Sequence, residues 1–206
     1  NDAVTFTAAS QNLIFNTTST LSNGASFAGK ASTITVDSAA GNNTLTGALT
    51  TTTNNTGTLA ITGGANTATI ANGVGASGNA LSAVTVAAST GAVFSSAVYA
   101  KNVTLAGTAT FNSTVDTTGG KISISSTGSA ILNQDTTATL EMSGNGNVTI
   151  ASGKTLTATI DNVTGADGSG ALILSGGTIT VTGALGATKS LSSISIMNSS
   201  GAVSTF

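Results

Sequence analysis

Charge-bearing chemistry is sparse in this 206-residue chain: five Lys and seven Asp or Glu, with no His and no Cys. The carboxylates are Asp2, Asp37, Asp116, Asp135, Glu141, Asp161 and Asp167. Glycoside cleavage needs two carboxyl groups at a set separation across a cleft. A fold of stacked turns is able to bring Asp116, Asp135 and Glu141 onto one face, with Lys121 as the one nearby cation. Sites of that kind also draw on Arg, Lys or His to stabilise developing charge, so solvated loop carboxylates are the default reading. Asp161-Asn162 followed by Asp167-Gly168-Ser169-Gly170 is an oxygen-rich stretch of the kind that binds calcium. It fits neither the EF-hand spacing nor the Gly-Gly-x-Gly-x-Asp nonapeptide, and one long corner loop explains it better. Tyr99 and Lys101 offer a small recognition spot, although a strand Tyr with its hydroxyl in water is the commoner arrangement. No catalytic, cofactor-binding or metal-binding residue is assigned on these grounds.

The missing residue types exclude more than the present ones suggest. Without His and Cys there is no Ser-His-Asp or Cys-His nucleophile system, and no Cys/His zinc, haem or iron–sulfur site. Arg is absent, and five Lys against a net charge of −2 cannot neutralise a phosphate backbone, which argues against nucleic acid as a partner. Gly63-Gly64, Gly119-Gly120 and Gly176-Gly177 open no helix and carry no Lys-Ser/Thr ending, so they are not phosphate loops. Asn-x-Ser/Thr sequons begin at Asn16, Asn42, Asn54, Asn102, Asn112, Asn147, Asn162 and Asn198. In a chain this rich in Asn, Ser and Thr, nearly that many arise by chance.

The elements that position these residues are short and extended. Thr occupies 40 positions, Gly 26, and Pro and Trp none. Apolar residues come in bursts no longer than Ala171-Leu172-Ile173-Leu174, far short of the ~18 needed for a membrane helix. Period-2 alternation recurs at Thr33–Val36, Thr58–Thr62, Leu81–Val86, Lys121–Ile124, Asn147–Ile150 and Thr178–Val181. Gly- and Asn-bearing corners separate them, as at Ser22-Asn23-Gly24, Gly41-Asn42-Asn43 and Gly144-Asn145-Gly146. Roughly twenty strands at about ten-residue spacing predict an all-β fold.

A long internal echo is also present. Leu81-Ser82-Ala83-Val84-Thr85-Val86 returns as Leu191-Ser192-Ser193-Ile194-Ser195-Ile196, and Gly91-Ala92-Val93 as Gly201-Ala202-Val203. The period is about 110 residues, so that 81–96 is echoed at 191–206, with a degenerate period of some 20 residues inside it. The expected architecture is a right-handed parallel β-helix, one solenoid segment over 1–206, with Val84, Val86, Ile194 and Ile196 facing inward. The alternative is two tandem immunoglobulin-like β-sandwiches of about 110 residues, against which stand the missing Trp, Cys pair and linker.

The segment Leu81–Val115 carries a resemblance. A Leu-x-x-Val-x-Val strand at Leu81, Val84 and Val86 precedes the step Gly91–Phe94. The strand Val98–Leu105 and the Thr-Phe-Asn element Thr110–Asn112 follow. This order is similar to the passenger repeats of rickettsial-type surface cell antigens, which are outer-membrane autotransporters. It covers about 35 residues, starts again at Leu191, and is poor over the first 40. The resemblance implies a β-helical stalk displaying adhesive surface or forming a protein coat, and transfers no functional residue.

From composition, the chain is expected outside the cell, on a bacterial surface, without disulfides. It shows no signal peptide, and Asn1-Asp2-Ala3-Val4 has the look of a processed or excised start. The function read here is a non-enzymatic structural or adhesive surface protein without cofactors, not itself membrane-spanning. The rival is a self-assembling subunit of an S-layer, sheath or filament; a polysaccharide-acting enzyme is a third and weaker class. Apolar residues from Leu191 to Phe206 lack a polar cap, so self-association, a longer chain or a partner strand is expected to cover that end. A host or matrix receptor is the other expected partner.

Overall fold

The computed structural model describes residues 3–125, 127–163, 167–197 and 204–206. Among them are 23 strands and no helix. Every ladder between named strands is parallel, and the chain winds as a right-handed β-helix of about nine turns. Parallel pairing removes the sandwich alternative, because an immunoglobulin-like sandwich is built from antiparallel sheets. No helix among the described residues is long and apolar enough to cross a membrane.

Each turn visits up to three sheets. An eleven-stranded sheet runs from Asn12–Phe15 through Leu81–Val86 and Thr136–Met142 to Ser204–Thr205. A nine-stranded sheet runs from Ser19–Thr20 through Gly91–Phe94 to Ser193–Met197. A shorter third sheet starts with Val4–Thr5, Ala25–Ser26 and Leu49–Thr50. A turn takes from 17 residues, Val98 to Val115, to 26, Ser19 to Leu45. The sequence therefore repeats in structure without repeating at a fixed period.

Alternation places the core. In the eleven-stranded sheet Ile34, Leu59, Val84, Val103, Ile122, Leu140 and Ile160 stand in one register column, and all are buried. Each such side chain taken from water contributes about 1.5–3 kcal/mol. In the nine-stranded sheet the equivalent column pairs Phe94 with Phe111, whose rings stack at 4.9 Å and 5°. Phe6 and Phe27 stack in the same way at 5.2 Å near the amino-terminal end. Outward positions carry β-branched Thr, which suits a pleated surface while remaining hydrated.

The expected inward Val84 and Val86 are 0% and 2% exposed. Ile194 and Ile196 differ. They stand in register with the buried Leu172 and Leu174, yet are 43% and 49% exposed. No further strand of that sheet stacks on them among the described residues. The two copies of the Leu-x-x-β-x-β motif also occupy different faces: Val84 pairs with Leu59 and Val103 in one sheet, Ile194 with Leu172 in another. The expected echo Gly201–Val203 lies outside the described residues.

Candidate functional site: a threonine-floored groove

Corners decide where the surface of the solenoid is hollow. Between the third sheet and the eleven-stranded sheet most early turns insert a loop, such as 51–57 or 75–80. The turn at Val115–Asp116 makes the same corner with Thr117–Gly120, closed by the Gly120 amide donating to the Thr117 carbonyl at 2.6 Å. Gly120 lies so close to the preceding turn that a Cβ there would sit 1.6 Å from the Lys101 carbonyl oxygen. The next two turns have no such corner. Thr136–Met142 and Thr155–Asn162 run straight through it as unbroken strands, in register from Thr136↔Leu156 to Met142↔Asn162. A step results, and beside it a groove of about 960 Å³ whose wall is the loop Thr117–Gly120.

The floor is a hydroxyl array. Thr137, Thr157 and Thr182 form one row by register, Thr139 and Thr159 a second, and all five are exposed. Between the rows Ala138 and Ala158 turn inward, so each strand presents Thr-Ala-Thr. Thr-Ala-Thr occurs four times in the chain. The other two copies, at Thr67 and Thr108, flank Gly91 in the nine-stranded sheet and line a smaller trough of about 360 Å³. That tripeptide was available in the sequence as a signal. What it lacked was the register that stacks one copy on another.

Of the three carboxylates expected together, the structure brings two. Asp116 and Asp135 line the groove. Asp116 accepts from the Thr118 hydroxyl, and Asp135 Oδ1 accepts the Thr155 amide at 2.8 Å. Glu141 stands outside the groove lining and pairs with Lys121 at 2.6 Å, a partly exposed contact between adjacent strands. Tyr99 sits in register with Asp116 on the turn before, half-buried on the outward face.

The oxygen-rich stretch near Asp161 is organised around amide donors. Asp161 accepts from the backbone of Asn162, Thr188 and Lys189, at 2.9 to 3.2 Å. Its carboxyl is held below the ordinary value by the Thr188 side chain first and the Lys189 amide next. Asp167 accepts from the Ser190 hydroxyl and amide, which lower its pKa in that order of weight. Asn162 faces inward in the column of Val86 and Met142, fully buried, and donates to the Ser169 carbonyl at 2.9 Å. N–H groups converging on the carboxylates present positive dipole ends to them. These bonds fasten Asp161 and Asp167 to residues 188–190 of the next turn. No group of three or more potential metal ligands occurs among the described residues.

No family model, curated protein or solved structure matches the chain.

Proposed function

We propose that this chain is a non-enzymatic surface protein: a stiff β-helical stalk, displayed outside a bacterial cell, that carries adhesive or structural surface. The observation that carries the reading is the unbroken in-register parallel ladder beneath outward faces rich in Thr and Ser. Nine turns at ~4.8 Å make a rod segment about 40 Å long. Each turn contacts only its neighbours, so the segment is able to lengthen by repetition without a new core. The similarity of Leu81–Val115 to autotransporter passenger repeats points the same way. The carboxylates Asp116, Asp135 and Glu141 are each held by a hydrogen bond or ion pair, which supports a scaffold over an acid–base pair. Protease shaving of intact producing cells tests the placement. Peptides of this chain are expected in the shaved fraction, and their recovery only after lysis would overturn it.

A self-assembling coat subunit is the second reading, favoured by one face. No charged residue lies on any strand of the nine-stranded sheet, whereas Asp37, Lys121, Glu141 and Asp161 all lie on the eleven-stranded one. An uncharged flat face lets two copies approach without repulsion. Sedimentation over a hundredfold concentration range separates the readings: mass growth reversed by Thr69→Lys and Thr149→Lys supports assembly through that face.

A further inference from the structure

We propose that the groove beside Asp116 binds a neutral polysaccharide chain, lying along the solenoid axis across the rows Thr137–Thr157–Thr182 and Thr139–Thr159. Register sets the geometry: hydroxyls recur about every 4.8 Å along the axis and about 6.6 Å along each strand. A Thr hydroxyl both donates and accepts, as a sugar hydroxyl does, and the Thr methyl beside it gives an apolar contact for sugar C–H. β-Branching restricts χ1, so these hydroxyls are ordered before any ligand arrives and little rotamer entropy is lost on binding. A ligand that repeats is matched to a floor that repeats.

The other ligand classes fit less well. The charged side chains of the lining are Asp116 and Asp135, so an anionic polymer is repelled. A cationic peptide has only these two carboxylates to pair with, and the floor rows themselves carry no charge. An extended peptide gains affinity by adding a strand to a free sheet edge. The groove floor offers little of one: Thr137–Thr139 pair with Thr157–Thr159 and Thr157 with Thr182, which leaves the short Thr136–Thr139 edge beside the loop Thr117–Gly120 as the stretch without a ladder partner on the preceding turn. Side-chain hydroxyls are what the floor offers. The inference holds for the purified chain whatever its place in the cell, so its failure and that of the surface placement are told apart.

The test is a titration of the full chain, followed by amide NMR, with cellohexaose, laminarihexaose and chitohexaose. Hexagalacturonate and hexalysine serve as the anionic and cationic counterparts. At least one neutral sugar is expected to give saturable shifts at Thr137, Thr139, Thr157 and Thr159. The double variant Thr157→Val/Thr159→Val keeps shape and β-branching while removing two hydroxyls. Its affinity is expected to fall by about tenfold or more, the equivalent of two modest hydrogen bonds, with an unchanged melting temperature. Thr67→Val/Thr110→Val, in the smaller trough, is the matched control and is expected to bind normally. Saturation by none of the three sugars would overturn the proposal. So would preferential binding of either charged ligand, or full affinity in the Thr157→Val/Thr159→Val protein.

Discussion

At the scale of single residues, place in the stack and not residue type alone decides what a side chain does. Val86 and Ile196 occupy equivalent places in the same motif, yet one is 2% and the other 49% exposed. Val86→Asp buries a carboxylate with no partner and is expected to cost about 3 kcal/mol or more. Ile196→Asp is expected to stay within about 0.5 kcal/mol, the range of surface changes. Thermal melts of the two variants check the pair, and equal losses would refute the register. The clamp at Asp161 and Asp167 makes a prediction about pH. Both carboxyls are lowered from 3.8 in the fold, so their stabilisation is present above that value and is lost as pH falls through their lowered folded pKa. The amides of Thr188, Lys189 and Ser190 are expected to lose hydrogen-exchange protection below that point, while those of Val84 and Val103 keep theirs. Asp161→Asn is expected to loosen the Thr188 and Lys189 amides already at neutral pH.

At the scale of elements, the corners shape the surface, and glycine sets two of them for different reasons. Gly120 has no room for a side chain, since its Cβ would meet the Lys101 carbonyl, whereas a Cβ at Gly119 would meet open space. Gly119 instead has φ +72°, a left-handed conformation that costs an L-residue about 1–2 kcal/mol. Gly120→Ala is therefore expected to cost about 3 kcal/mol, the upper end for overpacking, and Gly119→Ala about half that; chemical denaturation of both variants checks the order. Strands and corners were legible in the sequence for the same reasons that hold them: alternation at Lys121–Ile124 and Asn147–Ile150, and Gly at corners where φ turns positive, as at Gly24, Gly63, Gly119 and Gly144. The face each strand joins was not. Leu81–Val86 and its echo at Leu191 read alike, but turns of 17 to 26 residues put them in different sheets. The groove was equally hidden, because it depends on a corner that Thr136–Met142 and Thr155–Asn162 omit. A missing loop leaves no residue to find.

At the scale of the whole molecule, the argument is about cooperativity. Contacts run between neighbouring turns, and the long-range side-chain hydrogen bonds join residues 18 to 28 apart along the chain, about one turn. The core is one continuous stack from Phe6 to Val181, but its contacts pass from each turn to the next, so stability is a sum of turn and interface terms and need not be lost all at once. A charge placed in the middle tests this. Val103 is fully buried between Val84 and Ile122 in the central turns. Val103→Asp is expected to open the strands Leu81–Val86, Val98–Leu105 and Lys121–Ile124 while leaving Thr33–Asp37 and Ala171–Ser175 folded on either side. Hydrogen exchange read by mass spectrometry would then show two protected blocks around an exchanged centre, and melting would separate into two transitions. Uniform loss of protection along the whole chain would mean that the turns fold as one unit. In a stalk, independence between turns has a mechanical consequence: local damage stays local, and the surface beyond the break, including the groove at Asp116, remains presented.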